Sequence, residues 1–536
     1  MIYLSPHRIK NFLKNDQLLD WLELYGKKAG FLPNTSSNQQ SWQEWICQRG
    51  HLFEKKEMEM ILTQKQFSIH QFSHPDNWEQ SSTQAVQTLS SQKYDILLQT
   101  PICATTQPNL TWRGIIDILI HSRVIQKIPA FSHFQSNHQG YFIADWKQNR
   151  IQPTKKNKLP LQYKLWYFQC LIYRNLLSHH QIPVIPDCFG IIPQYILPDS
   201  PGGILHNAII THFPPEYDKI LSQAEEWFIT LHQPDTQSWD PYSHPQLAPN
   251  GRNHTEHPFS HAKTIIGRVR GELTMIPHIS VERKRKAIET LKRNDLRIDD
   301  QLLQPSHLGF KKENNISKRI RRSLHNLKEY PNSNQTFFDE VKRCFPEKTP
   351  FPENYVAIDF EFIPNAWIDN SKGHTLVCWG YLTYQNDKLD YQQYIIESPD
   401  KEEQLWIQFY TKMKEFDGKW ISWGHVERNL IQKRFPELTG IDFIKEFHQY
   451  NFLPMPLIDY KLKNWGNYLT AQNLIPKWMP KIQSNLPEQG NFWIPQWIPF
   501  LKKEITEKPN TDLFLQYHLR DLIWLYTIYY QILQNK

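Results

Sequence analysis

The chain has 536 residues, enough for two to four domains, and its 40% hydrophobic and 13% aromatic content excludes a disordered or fibrous protein. A formal net charge of +7 is a modest basic excess that suits an anionic partner, and no apolar run reaches the length of a membrane span. The six cysteines, Cys47, Cys103, Cys170, Cys188, Cys344 and Cys378, are scattered in mostly apolar contexts and read as reduced core thiols. The first residues, MIYLSPHRIKNFLKN, carry no apolar signal-peptide run, so a soluble cytoplasmic protein is expected, with no membrane partner. Neither an internal repeat nor a Walker A lysine motif is present, so ATP-driven unwinding would need a partner helicase.

In chain order, RGHLFEKKE places Glu54 on a predicted helix four residues after Gly50. WRGIIDILI and GYFIADWKQNR then read as neighbouring strands. Alternation along a strand puts Asp145 and Lys147 on one face, with Asp117 beside them. The intervening HSRVIQKIPAFSHFQSNHQG is too long for a tight hairpin and is expected to be an extended loop or insertion. Carboxylates and an ammonium on one sheet edge suit phosphodiester hydrolysis: the acids bind Mg²⁺ or Mn²⁺, and the lysine offsets phosphate charge and orients a water. LPLQYKLWYFQCLIY is a predicted long apolar-aromatic helix; Gln162 and Gln169, two turns apart, share a face, and Tyr173 follows one turn later.

The series Gly50-x-x-x-Glu54, Gly114-h-h-Asp117, Asp145-x-Lys147 and Gln-x-x-x-Tyr resembles the RecB-like branch of the PD-(D/E)XK nucleases, which includes Cas4, over residues 1–235. The resemblance implies a restriction-endonuclease-like α/β core. It makes Glu54, Asp117 and Asp145 metal ligands and Lys147 the catalytic lysine. Gln169 and Tyr173 fit the Gln-x-x-x-Tyr spacing; Gln162 stands at the more usual distance from the lysine but has Trp166 in the tyrosine position. Relatives often hold an iron–sulfur cluster through Cys-x-x-Cys; this chain has no such pair, so no cluster is expected. Residues 236–260 form a Pro/His-rich stretch. His244, His254, His257 and His261 in and beside it could ligate a metal, but a surface loop is the preferred reading.

Residues 261–340 concentrate the positive charge, in GRVRGELTMIPHISVERKRKAIETLKR and KKENNISKRIRRSLHNLK. They read as a basic helical linker with the layout of a helix-hairpin-helix unit, in which PHIS replaces the usual Gly-h-Gly. Lys318, Arg319, Arg321 and Arg322 are the candidate contacts to a phosphate backbone, against the alternative of a solvated connector.

From residue 341 a second α/β pattern begins. NYVAIDFEFIP puts Asp359 and Glu361 on one face of a strand. HTLVCWGYLTYQ and LDYQQYIIES complete a predicted meander, followed by a helix at KEEQLWIQFYTKMKEF and a strand at KWISWGHVERNLIQKRF. A closing helix carries Tyr517 and Asp521 one turn apart. This order resembles the DEDD 3′–5′ exonucleases of the ribonuclease H-like fold, in the subtype with a tyrosine. The resemblance implies Mg²⁺ or Mn²⁺ held by Asp359, Glu361, Glu427 and Asp521, with Tyr517 orienting water; Asp459 in MPLIDYKL rivals Glu427. The expectation for the whole chain is an α/β multidomain, metal-dependent nuclease acting on single-stranded or end-bearing DNA in repair, recombination or defence. The alternatives are a nucleic-acid scaffold for a partner helicase or nuclease with one or both sites inactive, and a C-terminal domain that acts on RNA.

Overall fold

A computed structural model describes residues 1–33, 37–151, 153–154, 159–160, 163–196, 200–201, 203–204, 206–254, 258–293, 295–297, 303–310, 314, 316–318, 320–321, 323–324, 354–365, 368, 373–416, 419–450, 461–482, 486 and 492–535. The protein is mixed α/β with two mixed sheets. It divides into two compact units, Met1–Pro33 with Glu44–Pro249, and Asn34–Gln43 with Asn250–Lys536. The 340/341 boundary expected from sequence lies outside the described residues.

The first unit is built on an eight-stranded sheet ordered β2-β3-β4-β5-β6-β7, with β1 (Ile2–Leu4) on β4 and β8 (Ile209–His212) on β6. Its strands are β2 (Ile69–Gln71), β3 (Ile96–Gln107), β4 (Leu110–His121), β5 (Tyr141–Ile151), β6 (Cys188–Ile196) and β7 (Ser200–Pro201). β3 and β4 form a long hairpin whose turn residue Asn109 has φ +66°, a conformation asparagine tolerates. β5 runs antiparallel to β4 and parallel to β6; the crossover between β5 and β6 carries α3. The helices that matter for the site are α1 (Ser37–Leu62), α2 (Trp78–Ser90), α3 (Lys164–His179) and α4 (Tyr217–Leu231).

The segment between β4 and β5, expected to be an extended loop, contains two short 3₁₀ turns and buries Ile125, Ile128, Phe131 and Phe134 in the same core as β4 and β5. Its apolar residues find partners under the sheet, which a solvated loop would not offer. The Pro/His-rich stretch is likewise packed where it is described. Trp21 donates to the Thr236 carbonyl at 2.9 Å, Leu247 is buried, and the His244 ring stacks on Trp239 with centroids 3.8 Å apart.

In the second unit, α5 (Ser260–Val269) and α6 (Val281–Leu291) are joined by a connection that holds a short 3₁₀ turn at Leu273–Met275, and a small core of Leu273, Ile276, Ile279, Ala287 and Leu308 lies around them. A five-stranded sheet follows, ordered β11-β10-β9-β12-β13, from β9 (Tyr355–Pro364), β10 (His374–Gln385), β11 (Lys388–Ile395), β12 (Lys419–Ser422) and β13 (Gly440–Asp442). The first three strands are an antiparallel meander; β12 and β13 are parallel to β9. Asn386 and Asp387, both at positive φ, make the two-residue turn of the β10–β11 hairpin.

Further helices are α7 (Glu402–Glu415), α8 (His425–Arg434), α9 (Phe443–Tyr450), α10 (Leu462–Ala471), α11 (Ile494–Leu501) and α12 (Asp512–Asn535). One expectation fails here. KWISWGHVERNLIQKRF is not a single strand: β12 ends at Ser422, Gly424 turns at φ +108°, and His425 begins α8. Glycine adopts that φ at no steric cost, so the chain reverses there. Among the described residues, no helix is long and apolar enough to cross a membrane.

Candidate active sites

In the first unit, β4 and β5 pair from Ile118↔Ala144 to His121↔Tyr141, and the pairing stops one residue short of Asp117 and Asp145. Where the strands part, the Trp146 amide donates to Asp117 Oδ2 at 3.0 Å instead of to a strand carbonyl. The fork therefore points two carboxylates at each other. Asp145 is 1% exposed, and the Lys147 ammonium, from the same face of β5, is in direct ion contact with its Oδ2. Burial first, and then the charges of Asp145 and Glu54, push the Asp117 carboxyl well above its usual range, with Lys147 opposing. Burial works against the Lys147 ammonium, but Asp145 and Asp117 outweigh it and hold its pKa above the ordinary value. Lys147 is thus a cation and hydrogen-bond donor at neutral pH rather than a general base.

Helix α3 begins later than its apolar run, and Gln162 lies outside the described residues. Gln169 is the glutamine that meets the lysine: Lys147 Nζ donates to its Oε1 at 3.3 Å, and its Nε2 donates to the Tyr173 hydroxyl at 3.2 Å. Tyr173 fits because position 114 is glycine, where a Cβ would come within 2.7 Å of Tyr173 Cε1. Glu54 lies on α1, its side chain 30% exposed beside His51 at 3.9 Å. Its pKa is raised by burial and by Asp145 and lowered by His51 and Lys147, so it shares the field of the same cluster.

In the second unit, Asp359 and Glu361 alternate onto one face of β9, and α12 crosses β9 and β10 carrying Tyr517 and Asp521. Asp359 and Glu361 are raised well above the carboxylate range, first by burial and then by each other's neighbourhood: Glu361, Asp521 and Glu427 act on Asp359, and Asp521 and Glu427 act on Glu361. Asp521 is raised by burial against the pull of Arg520 and Lys463. Glu427, in the first turn of α8, is pushed up to about 7, by burial and then by Asp442. Asp459, its rival, lies outside the described residues. Burial, aided by Asp521, raises the Tyr517 phenol, so it stays protonated.

Four residues of this cluster escaped the sequence reading. Gln393 Nε2 donates to the Leu515 carbonyl at 2.9 Å, which fixes its amide, and to His518 Nδ1 at 2.7 Å. His518 is therefore the Nε2–H tautomer and donates to the Asp359 carbonyl at 3.2 Å. Burial pulls its pKa down to about 4, so it is neutral. Lys463 Nζ and the Arg520 guanidinium lie 5.0 and 4.8 Å from the Tyr517 ring centroid. His518 and Arg520 lie on α12 between and beside Tyr517 and Asp521, with Arg520 Nε 3.4 Å from Asp521 Oδ1, whereas Gln393 and Lys463 reach the cluster from other elements through tertiary packing.

The donor chemistry of both clusters suits a hard divalent cation, since every candidate ligand is a carboxylate. Glu427 Oε2 and Asp145 Oδ1 are buried without a hydrogen-bond partner, while Asp145 Oδ2 meets the Lys147 ammonium. Among the described residues no group of three or more His, Cys, Asp or Glu side chains is gathered closely enough to hold a metal as it stands.

Of the basic run, Lys318 and Arg321 are exposed while Ile320 and Leu324 on the same segment are buried in the small helical core; Arg319 and Arg322 lie outside the described residues. His278, in the PHIS turn, has φ +69°. No protein-family model matches the chain, and neither a curated protein nor a solved structure does.

Proposed function

We propose that the chain is a metal-dependent phosphodiesterase of nucleic acid, with one site in each unit and DNA as the favoured substrate. On this reading the first unit is a RecB/Cas4-like PD-(D/E)XK nuclease and the second a ribonuclease H-like exonuclease. The observation that carries it is the unbroken line Tyr173–Gln169–Lys147–Asp145 with Asp117 across the strand fork. A structural ion pair needs Asp145 and Lys147 alone. It does not need a second buried acid whose ionisation the first opposes.

Asp117, Asp145 and Glu54 would hold the divalent cation, which supplies an activated water and charge stabilisation when bound. The chain's own part follows from the contacts. Gln169, itself held by Tyr173, fixes Lys147; Lys147 stays protonated and presents donors to a phosphoryl oxygen or to the attacking water. In the second unit Asp359, Glu361, Glu427 and Asp521 would be the ligands. The neutral His518 steadies the β9 backbone at Asp359, and the protonated Tyr517 presents a hydroxyl beside Asp521.

The test is digestion of end-labelled single-stranded DNA and RNA with Mg²⁺ or Mn²⁺ by wild type, Lys147→Ala, Asp359→Ala and the double variant. Each single variant should lose one product pattern, by about 10²–10⁴-fold for loss of a positioned catalytic group, and the double variant should lose both. Wild-type turnover in the double variant would refute the assignment.

A further inference from the structure

Trp166 stands where the family pattern expects a tyrosine, and the reaction as described leaves it without a role. On α3 the residues Trp166, Gln169 and Tyr173 are spaced three and four apart and share the face toward Lys147. Tyr163, at the N-cap, lies one turn before Trp166. The two rings stack with centroids 4.4 Å apart and planes 10° apart. Lys147 Nζ lies 5.8 Å from the Trp166 ring centroid. The next two aromatic residues of the helix, Tyr167 and Phe168, are 2% and 0% exposed, whereas Tyr163 and Trp166 keep part of their surface exposed. The helix thus sends one aromatic pair into the core and leaves another, already stacked, beside the candidate catalytic lysine.

We infer that Tyr163 and Trp166 form a stacking platform for an unpaired nucleobase next to the phosphate that Lys147 contacts. The inference rests on the nuclease reading of this site and adds a substrate class to it. A phosphodiester offers the face of an indole no stacking partner, while every base has a π face, so the platform is tolerant of sequence. A base in a duplex is already stacked on its neighbours and would have to be pulled out at a cost of a few kcal/mol. The platform therefore selects single strands or frayed ends.

The test uses the full chain carrying Asp359→Ala, so that only the first site turns over, on a single-stranded oligonucleotide and on one of equal length made of abasic residues. With the rings intact, KM for the base-bearing strand should be about tenfold lower than for the abasic strand, ~1.4 kcal/mol, within the range of base–ring stacking. Trp166→Ala should raise the KM of the base-bearing strand to the abasic value, leave the abasic KM and both kcat values in place, and be rescued by Trp166→Phe. Equal loss on both substrates would make the rings mere packing for Lys147 and overturn the platform, as would an undiminished preference for bases in Trp166→Ala. Cleavage of neither strand beyond the Lys147→Ala level would remove the nuclease reading itself, an outcome separate from loss of base preference.

Discussion

The two acid clusters solve the same electrostatic problem in opposite ways. In the first unit a lysine is built in: Lys147 touches Asp145, and Asp145 and Asp117 hold its charge in place. In the second, Asp521 and Glu427 raise Asp359 and Glu361, and the cations stand at one end of the cluster: Arg520 Nε is 3.4 Å from Asp521 Oδ1, and Lys463 and Arg520 lie by the Tyr517 ring. A buried charge pair loses most when one member is removed, because the survivor is left desolvated and alone. A cluster of like charges gains when one member is neutralised. The first site should therefore be mechanically committed to its ion pair. The second should store repulsion that protons or divalent cations relieve.

That contrast predicts opposite signs for the same chemical change. Without divalent cations at pH 8, Asp145→Asn should destabilise the first unit by about 3 kcal/mol, whereas Asp359→Asn should stabilise the second by roughly 1–2 kcal/mol. Urea unfolding midpoints measure both, and equal signs would break the comparison. Next in size is the pair of glycines that make room for supporting residues. A Cβ at Gly114 would come within 2.7 Å of Tyr173 Cε1, and one at Gly380 within 2.6 Å of His518 Cε1. Alanine at either should cost about 1–3 kcal/mol. Activity of the matching site alone should fall, read with the substrates and single variants above; loss of both activities would mean general misfolding.

A third contrast comes from Asp20, a buried acid of the first unit that accepts hydrogen bonds from the neutral donors Asn11 (2.7 Å) and Trp227 (3.0 Å). Burial outweighs those donors and lifts its pKa to about 7, well above the ordinary carboxylate range. The folded form thus binds the proton more tightly than the unfolded chain. Its contribution to stability is full below the unfolded pKa and is lost as pH rises toward and through about 7. Asp20→Asn should remove that slope and stabilise the protein at pH 8. A slope unchanged in melting experiments from pH 4 to 8 would show that neutral donors suffice where the first site uses a lysine.

Much of both sites was legible because it follows local periodicity. Strand alternation brings Asp145 to Lys147 and Asp359 to Glu361, and the helical turn brings Gln169 to Tyr173 and Tyr517 to Asp521. The two mixed sheets followed from the alternation of strand and helix patterns. What was illegible depended on the third dimension. The break of β12 at Gly424 moved Glu427 from a strand to the first turn of a helix, and nothing in the apolar run KWISW announces it. Residues 122–140 looked like an insertion because their apolar partners lie elsewhere in the chain. Gln393 and Lys463 reach the second cluster from other elements, and the stack of Trp166 on Tyr163 is a matter of packing that the pattern does not show.

The most direct test of the central claim, two separate carboxylate sites for divalent cations, is calorimetric titration of Mn²⁺ into wild type, Asp145→Asn and Asp359→Asn. The account predicts two classes of binding in wild type, with each variant losing a different one. No Mn²⁺ binding by wild type, or both classes surviving in either variant, would contradict it.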